Sequence, residues 1–136
     1  FTSERKDASP VNDSTPVIEV SYGAFSALLA GDATAATELQ LIARGWLSPV
    51  TLLKVAHHGS DTSTSQPFLD VVKPQIAVIS VGKGSTGLPS DAVLGKLKER
   101  GATVYRTNLH GNVTVITDGH TWKVTTERQP EGCPDA

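Results

Sequence analysis

The pattern that most constrains this chain is a repeated alternation of apolar, strand-like segments with helical ones. Residues 50–56 and 76–81 form two such apolar segments, and each is followed by a polar loop and then by a helical pattern. The second segment is apolar on both faces, as is typical of a strand that is covered on both sides. This alternation predicts βαβ units, in which parallel strands form one sheet with helices packed against it.

The complete pattern runs ββαβαβαβββ, which predicts an α/β fold with a mixed sheet, about three helices and an antiparallel margin. Alternating residues 18–22 and the apolar residues 25–30 predict a β-hairpin, and Asp118-Gly119 predicts another. The remaining elements are predicted as helices over residues 34–44, 67–72 and 90–101, with Ser90 as a cap, and strands over residues 103–106, 112–117 and 121–126.

The length of 136 residues suits one domain with a modest core. We divide the chain into a polar N-terminal lead-in (1–16), a folded unit (17–128) and a polar tail (129–136). The chain begins with Phe and contains no Met, so we expect a piece of a longer polypeptide. It lacks the run of about 20 apolar residues that spans a bilayer, so we expect no membrane contact by this chain itself.

Charge and cysteine content exclude several classes of function. Lys and Arg number 12 against 14 Asp and Glu, a formal net charge of −2, so the chain has no overall basic field for binding a phosphate backbone by counterion release. Contact with DNA must then be local or mediated by metal ions. The one cysteine, Cys133, excludes an intrachain disulfide and a thiolate metal site.

Three predicted loops follow strands at the edge where α/β sheets bind ligands. Asp32 follows the first of these strands, where the simplest reading of it alone is a helix cap. His57 and His58 follow the next, and two adjacent histidines before a glycine favour a metal or substrate site over two solvated loop residues. The Gly-rich loop over residues 82–87 could bind an anion through Lys83, but it lacks a P-loop ending and reads more simply as a linker.

The remaining two histidines carry no such pattern. His110 and His120 lie next to glycines in predicted turns, and we expect both to be solvated turn residues.

Asp32 and the His57-His58 pair together form a strand–Asp–helix–strand–His unit, which places a carboxylate and imidazoles at one edge of the sheet. This constellation resembles the second half of a metallo-β-lactamase-fold hydrolase. More narrowly, it resembles the extracytoplasmic hydrolase domain of the competence protein ComEC family. The resemblance covers about residues 12–126, through residues 12–14, 22–32, 53–60, 74–82 and 106–115.

The resemblance implies half of an αββα sandwich, with two divalent metal ions, Zn or Mn, held where the halves meet. Asp32 matches the carboxylate that bridges both metals, and His58 is our choice for the last metal-binding histidine. His57 is then a supporting or substrate-contacting residue, and we count Asp32 and His57 as the catalytic residues.

Two departures from the family pattern shape the implied function. The signature His-x-His-x-Asp-His is absent from this chain, and Leu88 stands where the family usually has a histidine between Gly87 and Pro89. We therefore expect the C-terminal half of such a domain, inactive alone, which binds metal weakly or not at all until a missing N-terminal half supplies further ligands. The parent would be a bacterial cell-membrane protein for DNA uptake, with this DNA phosphodiesterase domain outside the cytoplasm.

Two alternatives remain open. The first is a non-catalytic interaction module on a degenerate scaffold, which Leu88 favours and the retained Asp32 and histidine pair oppose. The second is a small doubly wound nucleotide-binding domain that uses residues 82–87. A half-sandwich also predicts an exposed apolar surface and self-association of the chain.

Overall fold

A computed structural model describes residues 15–130 of the chain. The matched residues 12–14 and Cys133 lie outside the described residues. The elements are, in order, β1 (Ile18–Tyr22), β2 (Phe25–Leu29), α1 (Ala35–Ala43), β3 (Leu52–Lys54), a 3₁₀ turn (Ala56–Gly59), α2 (Gln66–Val72), β4 (Ile76–Ile79), α3 (Asp91–Glu99), β5 (Thr103–Arg106), α4 (Thr107–His110), β6 (Val113–Thr117) and β7 (Trp122–Thr126).

The predicted order of strands and helices is confirmed, with two additions. The 3₁₀ turn and α4 were not predicted, because single-turn helices of four residues each are too short to show a hydrophobic period. The described chain therefore contains four α-helices rather than about three. Ser90 caps α3 as expected, since its side-chain oxygen accepts a hydrogen bond from Val93 N at 3.2 Å.

Five strands form one mixed sheet in the order β1-β2-β3-β4-β5. β1 pairs antiparallel with β2, and β2, β3, β4 and β5 run parallel to one another. The loops that follow these four parallel strands therefore lie at one edge of the sheet, which we call the carboxyl edge. None of the helices in residues 15–130 has the length and apolar character required to cross a membrane.

The helices cover one face of this sheet. Leu28, Leu53 and Ile79 point from neighbouring strands into this layer, and each is fully buried. They share one core cluster with Phe68 of α2 and Leu97 of α3. Burying such a side chain contributes about 1.5–3 kcal/mol, so this layer is the main hydrophobic core of the described chain.

The β6–β7 hairpin covers part of the opposite face. Its inward residues Val115 and Val124 pack against Leu52, Ile76 and Tyr105 of the sheet.

The tip of this hairpin is fixed against the turn between β1 and β2. Ala24 N donates a hydrogen bond to Gly119 O at 2.6 Å. A Cβ atom on Gly23 would lie only 2.4 Å from that same oxygen, so the contact requires glycine at this position.

The hairpin leaves one part of this face uncovered. Ile18, Val20, Tyr22 and Leu29 lie on the same face as Leu52 and are 39 to 61% exposed. We call these four residues the apolar stripe. The structure thus shows the exposed apolar surface that the sequence analysis predicts, at the margin of the sheet formed by β1 and β2.

A buried carboxylate links α1 to the loop that precedes α2. Glu38 is 0% exposed, and its two carboxylate oxygens accept hydrogen bonds from Thr64 N at 2.5 Å and Ser65 N at 2.8 Å. Lys96 of α3 donates to Thr64 O at 2.7 Å, so the same loop is also held from α3. Glu38 therefore satisfies two backbone donors that would otherwise be buried without a partner.

Replacing Glu38 with glutamine tests this link. Because glutamine has one side-chain oxygen and points an NH₂ group at the other backbone donor, Glu38→Gln is expected to lower the free energy of unfolding by about 1–3 kcal/mol. The matched control is Glu99→Gln at the exposed end of α3, with a change within about 0.5 kcal/mol. Urea denaturation measures both variants, and equal stabilities would contradict a structural role for the Glu38 carboxylate.

The apolar stripe predicts that the isolated 136-residue chain self-associates. Analytical ultracentrifugation should show a mass that rises with concentration for the wild-type chain, and a monomer for Val20→Lys, which puts a charge within the stripe. Ile116→Lys is the control, because Ile116 is 64% exposed on the hairpin and lies outside the stripe. A wild-type chain that remains monomeric at high concentration would show that the stripe does not drive association.

Candidate functional site

The turns that carry Asp32 and the two histidines adjoin at the carboxyl edge. Asp32 follows β2, and His57 and His58 follow β3, the next strand of the sheet. The two turns are joined directly, because His57 N donates a hydrogen bond to Gly31 O at 2.9 Å. The structure thus places these residues on adjoining turns at the expected edge, while their roles stay predictions.

Asp32 is not the cap of the following helix. The residue at the N-cap position of α1 is Thr34, two residues further along the chain. The simplest interpretation of Asp32 taken alone, a helix cap, is therefore wrong. Its carboxylate is partly exposed to solvent.

The backbone at the histidine pair adopts a conformation that side chains disfavour. His57 (φ 49°, ψ 41°) and His58 (φ 56°, ψ 22°) both lie in the left-handed region, which costs non-glycine residues roughly 1–2 kcal/mol each. The turn is closed by a bond from Ser60 N to His57 O at 3.0 Å. Strain of this kind persists only where the surroundings enforce it, and it is concentrated at functional sites.

Gly59 allows the histidine turn to pack closely against the segment before α3. A Cβ atom on Gly59 would lie 2.5 Å from Pro89 Cβ. Ser90 N also donates to Gly59 O at 2.9 Å. The turn is thereby held from outside the sheet as well as from β2.

His58 presents one ring nitrogen to solvent. Its Nδ1 lies 2.7 Å from Ser80 O, at the end of the neighbouring strand β4. Since a carbonyl oxygen only accepts hydrogen bonds, Nδ1 is the donor in this contact, and in the neutral ring the lone pair then lies on Nε2. The His58 side chain is exposed. It therefore offers the neutral imidazole nitrogen that metal ions bind.

His57 has a different partner. Its Nδ1 lies 3.3 Å from Thr62 Oγ1. The Thr62 hydroxyl lies 3.0 Å from Ser60 Oγ, and Thr62 N donates to that same serine oxygen at 3.3 Å. The His57 ring is therefore oriented by a local network of hydroxyl groups rather than by a carbonyl.

Lys54 adds a cation that the sequence analysis missed. It lies at the end of β3, opposite Leu29 of β2, and its Nζ donates to Val55 O at 3.1 Å. Burial lowers the pKa of Lys54, and the nearby Asp32 carboxylate partly offsets this effect. A lysine within a strand pattern gives no sign that it faces a carboxylate, because that contact depends on the pairing of β2 with β3.

Residues 82–87 and Leu88 lie beside the site. All six residues of the Gly-rich loop are exposed, including Lys83. Leu88 packs against the core on the helix side of the sheet. At the position where the resembled family usually has a histidine, this chain therefore has a packing residue.

The expectation for His110 is wrong. His110 is 7% exposed, its Nδ1 accepts a hydrogen bond from Arg106 N at 2.9 Å, and its ring packs edge-on against Tyr105 at 5.5 Å. The short helix α4 folds this side chain back onto β5, a contact that a turn pattern does not reveal. His120 is exposed, as expected for a solvated turn residue.

The predicted metal ligands, Asp32 and His58, would supply only part of a metal site. Within residues 15–130, no three His, Cys, Asp or Glu side chains are grouped closely enough to hold a metal ion. A carboxylate on Asp32 and the free Nε2 of His58 are donors of the right chemistry, whereas zinc takes about four ligands. Asp32 and His58 would together supply a fraction of one coordination shell, and their role as metal ligands stays a prediction.

The chain is an α/β unit with a carboxylate (Asp32), two imidazoles (His57 and His58) and a lysine (Lys54) at its carboxyl edge. No family model matches it. It is similar to competence proteins of the Rec2, ComEC and ComA family, at 32 to 40% identity over 76 to 83% of the chain.

Three of these relatives illustrate the match. Recombination protein 2 of Haemophilus influenzae is 40% identical over 105 residues, or 76% of this chain. Competence protein ComA of Neisseria gonorrhoeae is 34% identical over 111 residues, or 80%. ComE operon protein 3 of Bacillus subtilis is 32% identical over 114 residues, or 83%. The matched segment spans only 13 to 16% of the lengths of these relatives.

Proposed function

We propose that this chain is the C-terminal part of a ComEC-like, metal-dependent hydrolase domain that cleaves DNA phosphodiester bonds within a longer DNA-uptake protein. The observation that carries the proposal is the junction at the carboxyl edge. There, His57 N donates to Gly31 O, so the Asp32 turn adjoins the turn of His58, whose Nε2 has no hydrogen-bond partner within residues 15–130. Homology to competence proteins supports the biological setting.

Asp32 and His58 are the proposed ligands in this chain. The Asp32 carboxylate would bridge two divalent ions, Zn or Mn, and neutralise part of their charge, while His58 would bind one ion through Nε2. When bound, such a pair of ions supplies a nucleophile at neutral pH and stabilises the charge on the transferred phosphoryl group. His57 and Lys54 lie next to the ligands and would contact the anionic substrate.

The charge of the chain supports a site that depends on the rest of the protein. A formal net charge of −2 gives no general attraction to DNA. Substrate binding would therefore come from the metal ions, from Lys54 and from parts of the protein beyond this segment.

A second layer of structure is the proposed partner of the apolar stripe. Leu29 of the stripe is paired with Lys54, and Asp32 follows Leu29 by three residues, so the stripe extends to the candidate site. A missing N-terminal half that covers the stripe would thus reach the carboxyl edge and could supply the absent ligands. This arrangement accounts for both incomplete features, the exposed apolar face and the partial donor set.

The proposed location is outside the cytoplasm, in a domain of a bacterial cell-membrane protein. It rests on the resemblance to the ComEC family and on the small share of each competence protein that this segment covers. The isolated segment would be inactive, because it would lack the remaining ligands.

One observation favours a second candidate function. Leu88 packs against the core where the resembled family usually places a histidine, so a polar group of the family site is replaced by a packing residue. A non-catalytic interaction module on the same scaffold would have this feature. Such a module would still present the apolar stripe to a partner protein. It would not explain why His57 and His58 are held in a strained, left-handed conformation.

Substitution of Asp32 in the parent protein tests the hydrolase proposal. Asp32→Asn removes the charge of a bridging ligand and is expected to lower Mn²⁺-dependent cleavage of a single-stranded oligonucleotide at least about 100-fold, since even outer partners of metal ligands cost 10–100-fold. Asp61→Asn is the control, because Asp61 is an exposed aspartate in the loop after the histidines. A wild-type parent without cleavage under these conditions would favour the interaction module.

The isolated chain gives a complementary measurement. With two donors in place of about four per ion, it should retain well under one Zn²⁺ or Mn²⁺ per chain after gel filtration, as measured by elemental analysis. Two tightly held ions per chain would contradict the proposal that the other ligands lie elsewhere.

A further inference from the structure

We propose that His57 and His58 are held in opposite neutral tautomers, so that one ring offers a bare nitrogen to a cation and the other offers an N–H group to an anionic oxygen. We further propose that Thr62 is the positioning residue that selects the tautomer of His57. The identity of the anion, a phosphodiester oxygen, rests on the proposed function. The tautomers themselves are inferred from the hydrogen-bond partners of the two rings and do not depend on that function.

The tautomer of His58 is set by a backbone carbonyl. Ser80 O lies 2.7 Å from His58 Nδ1 and has no hydrogen to donate, so the ring proton resides on Nδ1. The carbonyl belongs to the end of β4, which is paired with β3. His58 is thus fixed by the sheet with Nε2 free of a proton.

The tautomer of His57 is set by a chain of hydroxyl groups. Ser60 Oγ accepts a hydrogen bond from Thr62 N at 3.3 Å, and we assign its own hydrogen to the contact with Thr62 Oγ1 at 3.0 Å. The Thr62 hydrogen is then free to be donated to His57 Nδ1 at 3.3 Å. Hydrogen bonds that run in one direction strengthen one another. In this arrangement Nδ1 accepts, and the proton of the ring resides on Nε2.

Thr62 is held in place by contacts that do not involve His57. Ala35 N, at the start of α1, donates to Thr62 O at 3.0 Å. Thr64 and Ser65 follow shortly after Thr62, and their backbone N–H groups donate hydrogen bonds to the Glu38 carboxylate of α1. The backbone of the loop over residues 60–65 is therefore anchored to α1, the helix that begins directly after the Asp32 turn.

Opposite tautomers would suit a site where a cation and an anion meet. A bare nitrogen on His58 binds a metal ion without first losing a proton. A neutral N–H group on His57 donates to a phosphate oxygen without adding a positive charge that would repel neighbouring metal ions. One histidine pair would thereby serve both the metal and the substrate.

The test is direct observation of the imidazole nitrogens by NMR. A two-bond ¹H–¹⁵N correlation spectrum of the ¹⁵N-labelled 136-residue chain, at about pH 8 where imidazole is neutral, reports which nitrogen of each ring carries the proton. His57 should show protonated Nε2 and His58 protonated Nδ1. The same tautomer in both rings would overturn the proposal.

Variants of one loop test the role of Thr62. Thr62→Val removes the hydroxyl at nearly constant shape, and His57 should then become a mixture of tautomers, whereas Thr62→Ser should restore the single form. Thr64→Val is the matched control, since Thr64 Oγ1 is buried without a hydrogen-bond partner in the described structure. An unchanged His57 spectrum in Thr62→Val, or a change of equal size in Thr64→Val, would overturn a positioning role for Thr62.

A phosphodiester probe tests the anion. Dimethyl phosphate should shift the Nε2 resonance of His57 more than that of His120, the exposed histidine of the hairpin turn, and should lose this preference in Thr62→Val. Equal shifts for the two histidines would overturn the anion role. These NMR measurements require neither metal nor catalysis. A negative NMR result would therefore not contradict the hydrolase proposal. Conversely, absence of DNA cleavage by the parent protein would not contradict the tautomer assignment.

Discussion

The hydrogen bond from His57 N to Gly31 O is the contact on which the candidate site depends. It continues the parallel pairing of β2 with β3 beyond the ends of both strands, and it brings the Asp32 turn and the histidine turn together. The left-handed backbone of His57 and His58 is acceptable only because this bond, the Ser80 carbonyl and the close packing at Gly59 hold the turn from three sides.

The proposed function gives two features of the chain one explanation. The sheet has one face covered by helices and another covered only in part, where the apolar stripe remains exposed. The carboxyl edge carries the two proposed metal ligands, whereas a zinc ion takes about four. Both deficits lie next to each other, since Leu29 of the stripe is three residues from Asp32. A single additional layer of the longer protein would relieve both, which connects the packing of this segment with its proposed chemistry.

Much of the fold could be predicted from the sequence because its signals are local. Strand alternation and helical periodicity depend on neighbouring residues, and they gave the right order of elements. The position of Asp32 and His57 at one edge followed from the parallel order. The rest depended on contacts between distant segments. The Glu38 carboxylate meets donors 26 and 27 residues away, and His110 is buried by a one-turn helix that has no period of its own.

The central claim is that Asp32 and His58 converge on a common metal centre in the longer protein. Anomalous X-ray diffraction from crystals of that protein grown with Zn²⁺ would locate the ions. The account predicts zinc at about 2.0–2.2 Å from an Asp32 carboxylate oxygen and from His58 Nε2, in one site or in two adjacent ones. Zinc bound elsewhere, with the Asp32 carboxylate and the His58 ring too far apart to touch the same or neighbouring ions, would contradict it.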